Sequence, residues 1–338
     1  MHRRYSTLAI AIAIAAGGTI TPPAAAQQME ETSMALPALT IGFAPTYIAD
    51  AKGFWTKRNL KVSLHDIVGI GSMNAVLAGS IDFSNSSGPT IIRANIRGQK
   101  VLGVGSTLDG LPFELIVRRD FAQAAGVTEK SPLDKRMAAL KGKKISITSV
   151  NTIPHVYLRY LLQKGGLNPE RDVTVVSMPP EAGIASLKGG TTDGYIQGPP
   201  WPMIAMRQAD GVRLATAIRG DLPEMTPFAF NIVVTRPEVC VKRPGVCQKL
   251  LDGYLEGMLF MHEHPEESIA ILAKKMPKID PAVLEESFDL TLKWTPKTTR
   301  MNMKGLENSQ ELMIVGGMIK AGEKLAGFDA IVTNKFTK

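Results

Sequence analysis

One short pattern occurs twice in this chain, a Gly-x-x-Asp whose glycine is preceded three positions earlier by an apolar residue. The copies are Val76-Leu77-Ala78-Gly79-Ser80-Ile81-Asp82 and Leu187-Lys188-Gly189-Gly190-Thr191-Thr192-Asp193. In each, an apolar stretch runs into a glycine that can end a helix in the left-handed conformation, and the aspartate leads into a short strand. A chain that builds one helix–strand unit twice builds two lobes. Two lobes facing each other leave a cleft, and a cleft holds ligands.

The N-terminus predicts export. His2, Arg3 and Arg4 form a positive start, Leu8 to Ala16 is apolar, and Ala24-Ala25-Ala26 supplies small residues for cleavage. Met1–Ala26 therefore reads as a signal peptide, with the mature chain starting near Gln27 in the periplasm. A membrane anchor is the competing reading, but the apolar run is short and is broken by Gly17-Gly18 and Pro22-Pro23. Twin-arginine export fits the residues around Arg3-Arg4 poorly.

About 310 residues remain, enough for two domains with their own cores. The whole chain carries a formal charge of +8, and losing a signal with two arginines and no acid leaves +6. Lysines and arginines alternate with acids along the chain without aromatic interleaving, which argues against nucleic acid and for solvated surface charge. A mild positive field still favours small anions approaching a cleft. The only cysteines, Cys240 and Cys247, stand a short loop apart. In an oxidising compartment they predict a local disulfide; a metal pair is the alternative, poorly served by two cysteines with no nearby histidine. No metal or other cofactor is expected.

Strands alternate with helices along most of the chain, the signature of mostly parallel sheets covered on both faces. Leu39–Phe43 reads as the first strand, Tyr47–Arg58 as a helix, Val62–Ile67 as the second strand, Ile81–Asn85 as the third and Val101–Ser106 as the fourth. From Phe113 a second lobe follows, with strands at Glu114–Arg118, Lys144–Ile147, Val173–Ser177 and Tyr195-Ile196. Ile232–Thr235 is read as the last strand. Pro237 to the end reads as helical, near Gln248–His262, Glu266–Lys275, Pro281–Leu292 and Lys304–Glu323, and is expected to pack on the first lobe. The predicted organisation is thus residues 38–112 with 228–338 as lobe one and 113–227 as lobe two, hinged near Pro112 and Pro227.

Six motifs in order carry a family resemblance: Ala51-Lys52-Gly53-Phe54-Trp55, Ala78-Gly79-Ser80-Ile81-Asp82-Phe83, Leu140-Lys141-Gly142-Lys143-Lys144-Ile145, Gly166-Leu167-Asn168-Pro169, Gly190-Thr191-Thr192-Asp193 and His264-Pro265-Glu266-Glu267. Each is weak alone, and the ordered set is specific. The chain resembles the periplasmic solute-binding proteins of the nitrate/sulfonate/taurine (NMT1/THI5-like) class of ABC importers. The resemblance implies an α/β, two-lobed periplasmic-binding-protein fold of type II, a Venus flytrap. It also implies a monomer that captures a small solute and presents it to a membrane permease.

Ligand contacts are expected from loops at the carboxyl ends of strands, where an open α/β sheet forms its crevice. Gly71, Ser72, Ser86, Ser87, Ser149, Asn151 and Thr152 place hydroxyls and backbone N–H groups at helix N-termini, where the dipole favours a negative head group. Ordinary helix capping uses the same residues. Thr46 lies on the first such loop. Tyr47, Trp201 and Phe228 are candidates for an aromatic wall, and His155 for a hydrogen bond to the ligand; a core role competes for each. A small organic anion, such as a sulfonate or carboxylate, follows, because an aromatic wall would be wasted on nitrate. The alternatives are a pyrimidine-type thiamine precursor or an enzyme of the same fold. The chain has no Gly-x-Ser-x-Gly, His-Glu-x-x-His or phosphate loop, no paired spacing among Asp109, Glu114 and Glu181, and no Cys-rich motif like that of the thiamine-precursor synthases.

Overall fold

The structure, a computed structural model, describes residues 29–338; the expected signal peptide lies outside them. The first run of elements is β1 (Glu30–Leu36), α1 (Ala44–Ala51), β2 (Leu60–Asp66), α2 (Ile70–Ala78), β3 (Phe83–Ser86), α3 (Gly88–Ile96) and β4 (Leu102–Leu108). The second is β5 (Glu114–Arg118), α4 (Arg119–Ala124), α5 (Leu133–Ala138), β6 (Lys144–Ile147), α6 (Ile153–Lys164), β7 (Thr174–Ser177), α7 (Pro180–Lys188), β8 (Gly194–Gln197), α8 (Trp201–Gln208) and β9 (Gly211–Thr216). Last come β10 (Asn231–Thr235), α9 (Pro237–Lys242), α10 (Pro244–Glu263), α11 (Pro265–Lys275), α12 (Pro281–Leu292) and α13 (Met303–Val315).

The strands form two five-stranded sheets, β2-β1-β3-β10-β4 and β7-β6-β8-β5-β9. The two orders are equivalent. In each, three parallel strands are followed by one antiparallel strand and then a last strand. The antiparallel members, β10 and β5, are the first strands after the chain crosses between lobes. The sheets are therefore mixed, with four strands sharing a direction. Residues in β5 show why such a strand reads as an unbroken apolar run: Leu115 and Val117 enter one core, Ile116 enters the core on the opposite face, and all three are fully buried.

The duplicated motif sits at the same place in both sheets. Gly79 and Gly190 take φ of +82° and +71° at the helix ends, and β3 and β8 begin one residue after Asp82 and Asp193. Asp82 accepts from the Thr32 hydroxyl of β1 at 2.8 Å and from Arg243 at 2.9 Å; Asp193 accepts from the Lys144 N–H of β6 at 2.9 Å, with Arg118 4.0 Å away. Each aspartate thus ties the start of one parallel strand to the start of its neighbour and is balanced by an arginine.

Four expectations are corrected. The first strand is Glu30–Leu36, not Leu39–Phe43; Ile41–Phe43 is a 3-10 turn leading into α1. Its polar first half, Glu30-Glu31-Thr32-Ser33, hides a strand whose second half, Met34 to Leu36, is buried. Strand β9 is absent from the sequence reading because Arg213 interrupts its apolar pattern. That arginine is only 7% exposed and pairs at 2.5 Å with Glu114, which is fully buried. Finally, of the four helices expected to pack on lobe one, α10 and α11 do so, against α1. Helix α12 lies against α8, and α13 packs on both α3 and α6, so the C-terminal helices bridge the lobes. In α13, Leu306 joins a lobe-one core while Leu312 joins that of lobe two. That helix also ends at Val315, where Gly317 takes φ +73°, well before Glu323.

Cys240 and Cys247 form a disulfide with a Cα–Cα distance of 5.7 Å, joining α9 to α10, which removes the metal alternative. Among the described residues no helix is long and apolar enough to cross a membrane.

Candidate functional site

The carboxyl ends of β1, β3, β6 and β8 meet between the lobes, and there the structure holds two adjoining chambers of about 660 Å³ and 310 Å³. Phe43, Phe113, Phe230 and Asn231 belong to the walls of both. The two crossing segments form the back. They are hydrogen-bonded to each other, Phe228 N–H to the Asp109 carbonyl at 3.2 Å and Phe230 N–H to the Leu108 carbonyl at 3.1 Å.

The larger chamber is electropositive. The N-terminal ends of α2 (Gly69, Ile70), α3 (Ser87, Pro89, Thr90) and α6 (Thr152, Ile153, Pro154) line it, together with Arg93 on α3 and Arg97 at that helix's C-terminal cap. No acid is among its described lining residues. Neither arginine has a carboxylate within 4.0 Å among the described residues, although most of the other described arginines are paired. Burial, and then the charge of Arg97, lower the pKa of Arg93. Two unpaired guanidinium groups and three helix N-termini on one cavity make an anion site in electrostatic terms. Arg93 also donates to the Asn151 carbonyl of the other lobe at 3.4 Å, so it spans the cleft.

Asn85 forms part of the floor and is 1% exposed. Its Nδ2 donates to the Thr46 hydroxyl at 3.0 Å and to the Tyr254 hydroxyl at 3.3 Å, while its Oδ1 has no partner among the described residues. Thr46 therefore touches Asn85 and does not itself line the chamber.

Of the residues singled out from the sequence, Ser72, Ser86, Ser87, Asn151 and Thr152 line the larger chamber and Trp201 the smaller. Several of their hydroxyls are engaged locally: Ser72 donates to the Gly69 carbonyl, Ser87 accepts from Thr90 N–H and Thr152 donates to the Ser149 carbonyl. Gly71, Ser149 and His155 line neither chamber. His155 instead accepts the Asn151 N–H on Nδ1 at 3.1 Å, holding Asn151 at φ +59°; burial, and next the charge of Arg159, lower its pKa.

Three residues are corrected. Thr46 is buried behind Asn85. Tyr47 sits in the lobe-one core, where burial pushes its hydroxyl up to about 12. Phe228 is fully buried against the lobe-two core with Leu312. Thr46 and Tyr47 lie in the first turn of α1 and Phe228 on the second crossing segment, and all three face inward, because apolar packing claims the side chains on the inner side of each segment. The residues missed were Arg93, Arg97, Phe43, Phe113, Phe230, Asn231 and Trp294. A signal was present for the arginines: α3 carries no acid that could pair with either.

Asp109, on the first crossing segment, has its carboxyl pushed up to about 6 by burial, against the 2.5 Å hydrogen bond donated by Ser106. A carboxyl with a raised pKa in the folded state holds its proton while the unfolded chain has released it, so stability falls as pH rises from about 4 to about 6. D109N keeps the acceptor and removes the charge. It is expected to gain about 2 kcal/mol at pH 7 and almost nothing at pH 4, read from urea unfolding at both pH values. Equal gains at the two pH values would remove this account.

A sequence model of the NMT1-like family matches residues 27–276. The chain is 25% identical over 255 residues to the nitrate/nitrite binding protein NrtA of Synechocystis, covering 69% of this chain and 54% of that protein. It is also 25% identical over 244 residues to the bicarbonate transport ATP-binding protein CmpC of the same organism, covering 70% and 36%. The chain thus spans about half, or less, of the length of these relatives. The alkanesulfonate-binding protein SsuA of Xanthomonas axonopodis pv. citri, solved with MOPS, superposes with a TM-score of 0.70 at 17% identity over 91% of this chain and 100% of that one. The likeness shows the two-lobed periplasmic-binding-protein fold.

Proposed function

The chain belongs to the NMT1-like family, and from that premise we propose that it captures a small organic anion between its lobes and delivers it to an ABC importer. In this reading the chain acts in the periplasm after loss of Met1–Ala26, as a monomer, and turns nothing over. One observation carries it: an interlobe chamber lined, among the described residues, by two arginines without acidic partners, three helix N-termini and no acid. Neither chamber has an acid, histidine or cysteine among its described lining residues, and its hydroxyls have no histidine or carboxylate beside them in the lining to act as a general base. Relatives named for nitrate/nitrite binding and for bicarbonate transport support anion capture linked to an ATP-driven importer.

Arg93 gives the anion a way to favour closure. It already reaches across to the Asn151 carbonyl, and an anion lodged beside it would be touched from both lobes. A ligand that contacts both lobes shifts the population towards the closed state. A thermal-shift panel of sulfonates, carboxylates, nitrate and pyrimidines tests the reading. A saturable stabilisation by organic anions is expected, amounting to about 2.7 kcal/mol at a hundred times Kd. Stabilisation by pyrimidines alone would overturn the anion assignment.

A further inference from the structure

We propose that the smaller chamber receives an uncharged aryl group, so that the ligand of this cleft is an organic anion bearing an aromatic ring. The inference rests on the reading of the cleft as an anion receptor and adds the class of anion.

The two chambers differ in chemistry. No residue lining the smaller one among those described carries a formal charge. Five of its walls are aromatic: Phe43, Phe113, Phe230, Trp201 and Trp294. Phe113 and Phe230 meet edge to face with centroids 5.6 Å apart, which offers ring edges and faces in a fixed arrangement. The position of Trp294 is built into the backbone. A Cβ at Gly110 would fall 2.4 Å from atoms of the Trp294 ring, so only glycine on the crossing segment admits the indole there. The Asp109 N–H donates to the Trp294 carbonyl at 2.9 Å and fixes the same residue from its backbone. Trp294 also keeps a buried Nε1 donor without an acceptor among the described residues.

An anionic group entering this chamber would lose water and find no cation, whereas the neighbouring chamber offers two. A small inorganic anion would leave the aromatic surface unused. The volume is ample for a ring, since an apolar cavity of about 150 Å³ already binds benzene and this one holds about 310 Å³. Because Phe43, Phe113 and Phe230 wall both chambers, a charged group beside Arg93 and a ring beside Trp294 can belong to one molecule.

Calorimetric titration of the protein with matched probes tests this: 4-phenylbutyrate, 4-cyclohexylbutyrate and butyrate, together with benzenesulfonate and methanesulfonate. The phenyl compounds are expected to bind at least tenfold tighter than their saturated or short-chain partners. Trp294→Leu is expected to bring the phenyl-to-cyclohexyl affinity ratio towards one. Trp201→Leu should do the same, which keeps the test open if the first variant does not fold. Equal affinities for phenyl, cyclohexyl and short-chain anions would overturn the aryl assignment and leave the anion receptor standing. An unchanged phenyl-to-cyclohexyl ratio in both folded variants would also overturn it. Failure of every anion to bind would overturn both.

Discussion

Arg213→Ala is expected to cost about 3–5 kcal/mol of folding stability at pH 7, among the largest losses any single side chain of this protein can cause. The reason is what remains behind. Glu114 has no exposed surface, and its carboxyl is already raised by burial, with Arg213 the main group opposing that rise. Without the guanidinium the carboxylate is left in the second sheet without its closest cation, since Arg213 is the only arginine or lysine within 4.0 Å of it among the described residues. The loss should shrink as pH falls from 7 towards the raised folded-state pKa of Glu114, because below it the buried carboxyl holds its proton with or without Arg213 and its charge no longer separates the two variants. Urea unfolding of R213A at pH 7 and pH 4 measures both parts. The double variant E114Q/R213M should recover most of the loss, because replacing both partners removes the unpaired charge. A loss independent of pH would show that packing around Arg213, and not its charge, dominates.

Arg93→Ala is expected to weaken binding of the anion found in the ligand panel by about 30- to 100-fold, with almost no change in stability. A charge-assisted hydrogen bond contributes about 2–3 kcal/mol, and each 1.4 kcal/mol is a tenfold change in Kd. Stability should hold because Arg93 has no carboxylate partner among the described residues and its one side-chain hydrogen bond, to the Asn151 carbonyl, is long at 3.4 Å. Arg93→Lys should recover only part of the affinity, since an ammonium keeps the charge and loses the bidentate fork. Raising salt should weaken the parent more than R93A. An R93A variant that binds as tightly as the parent would move the anion to another part of the cleft.

The duplicated Gly-x-x-Asp shows how far local chemistry reaches. A glycine at a helix end and an aspartate before a strand are short-range devices, so both copies could be read from residues a few positions apart, and both sit at equivalent places in the two sheets. Strands β5 and β6 and helix α12 were legible to the residue for a related reason, being buried apolar runs or carrying a clear N-terminal cap at Asp280. Strand β9 was not, because its signal is a charge whose partner is 99 residues away.

At the cleft the division is similar. The sequence placed the ligand loops at strand ends, and several hydroxyl-bearing residues named there line the larger chamber. It does not say which side of a segment a residue faces, and the cores enclose Thr46, Tyr47 and Phe228. Nor could it bring Phe43, Phe113, Phe230 and Trp294 together, since they come from four separate segments that meet only when the lobes are assembled. By itself, then, the sequence determined two repeated α/β lobes and the loops at their strand ends, because helix ends, turns and apolar periodicity act over a few residues. Only the tertiary structure decided that Arg93 and Arg97 face the cleft without acids, that α12 and α13 bridge the lobes, and that five aromatic rings enclose a neutral chamber. Those depend on contacts between residues far apart in the chain, which burial and packing select and local pattern does not encode.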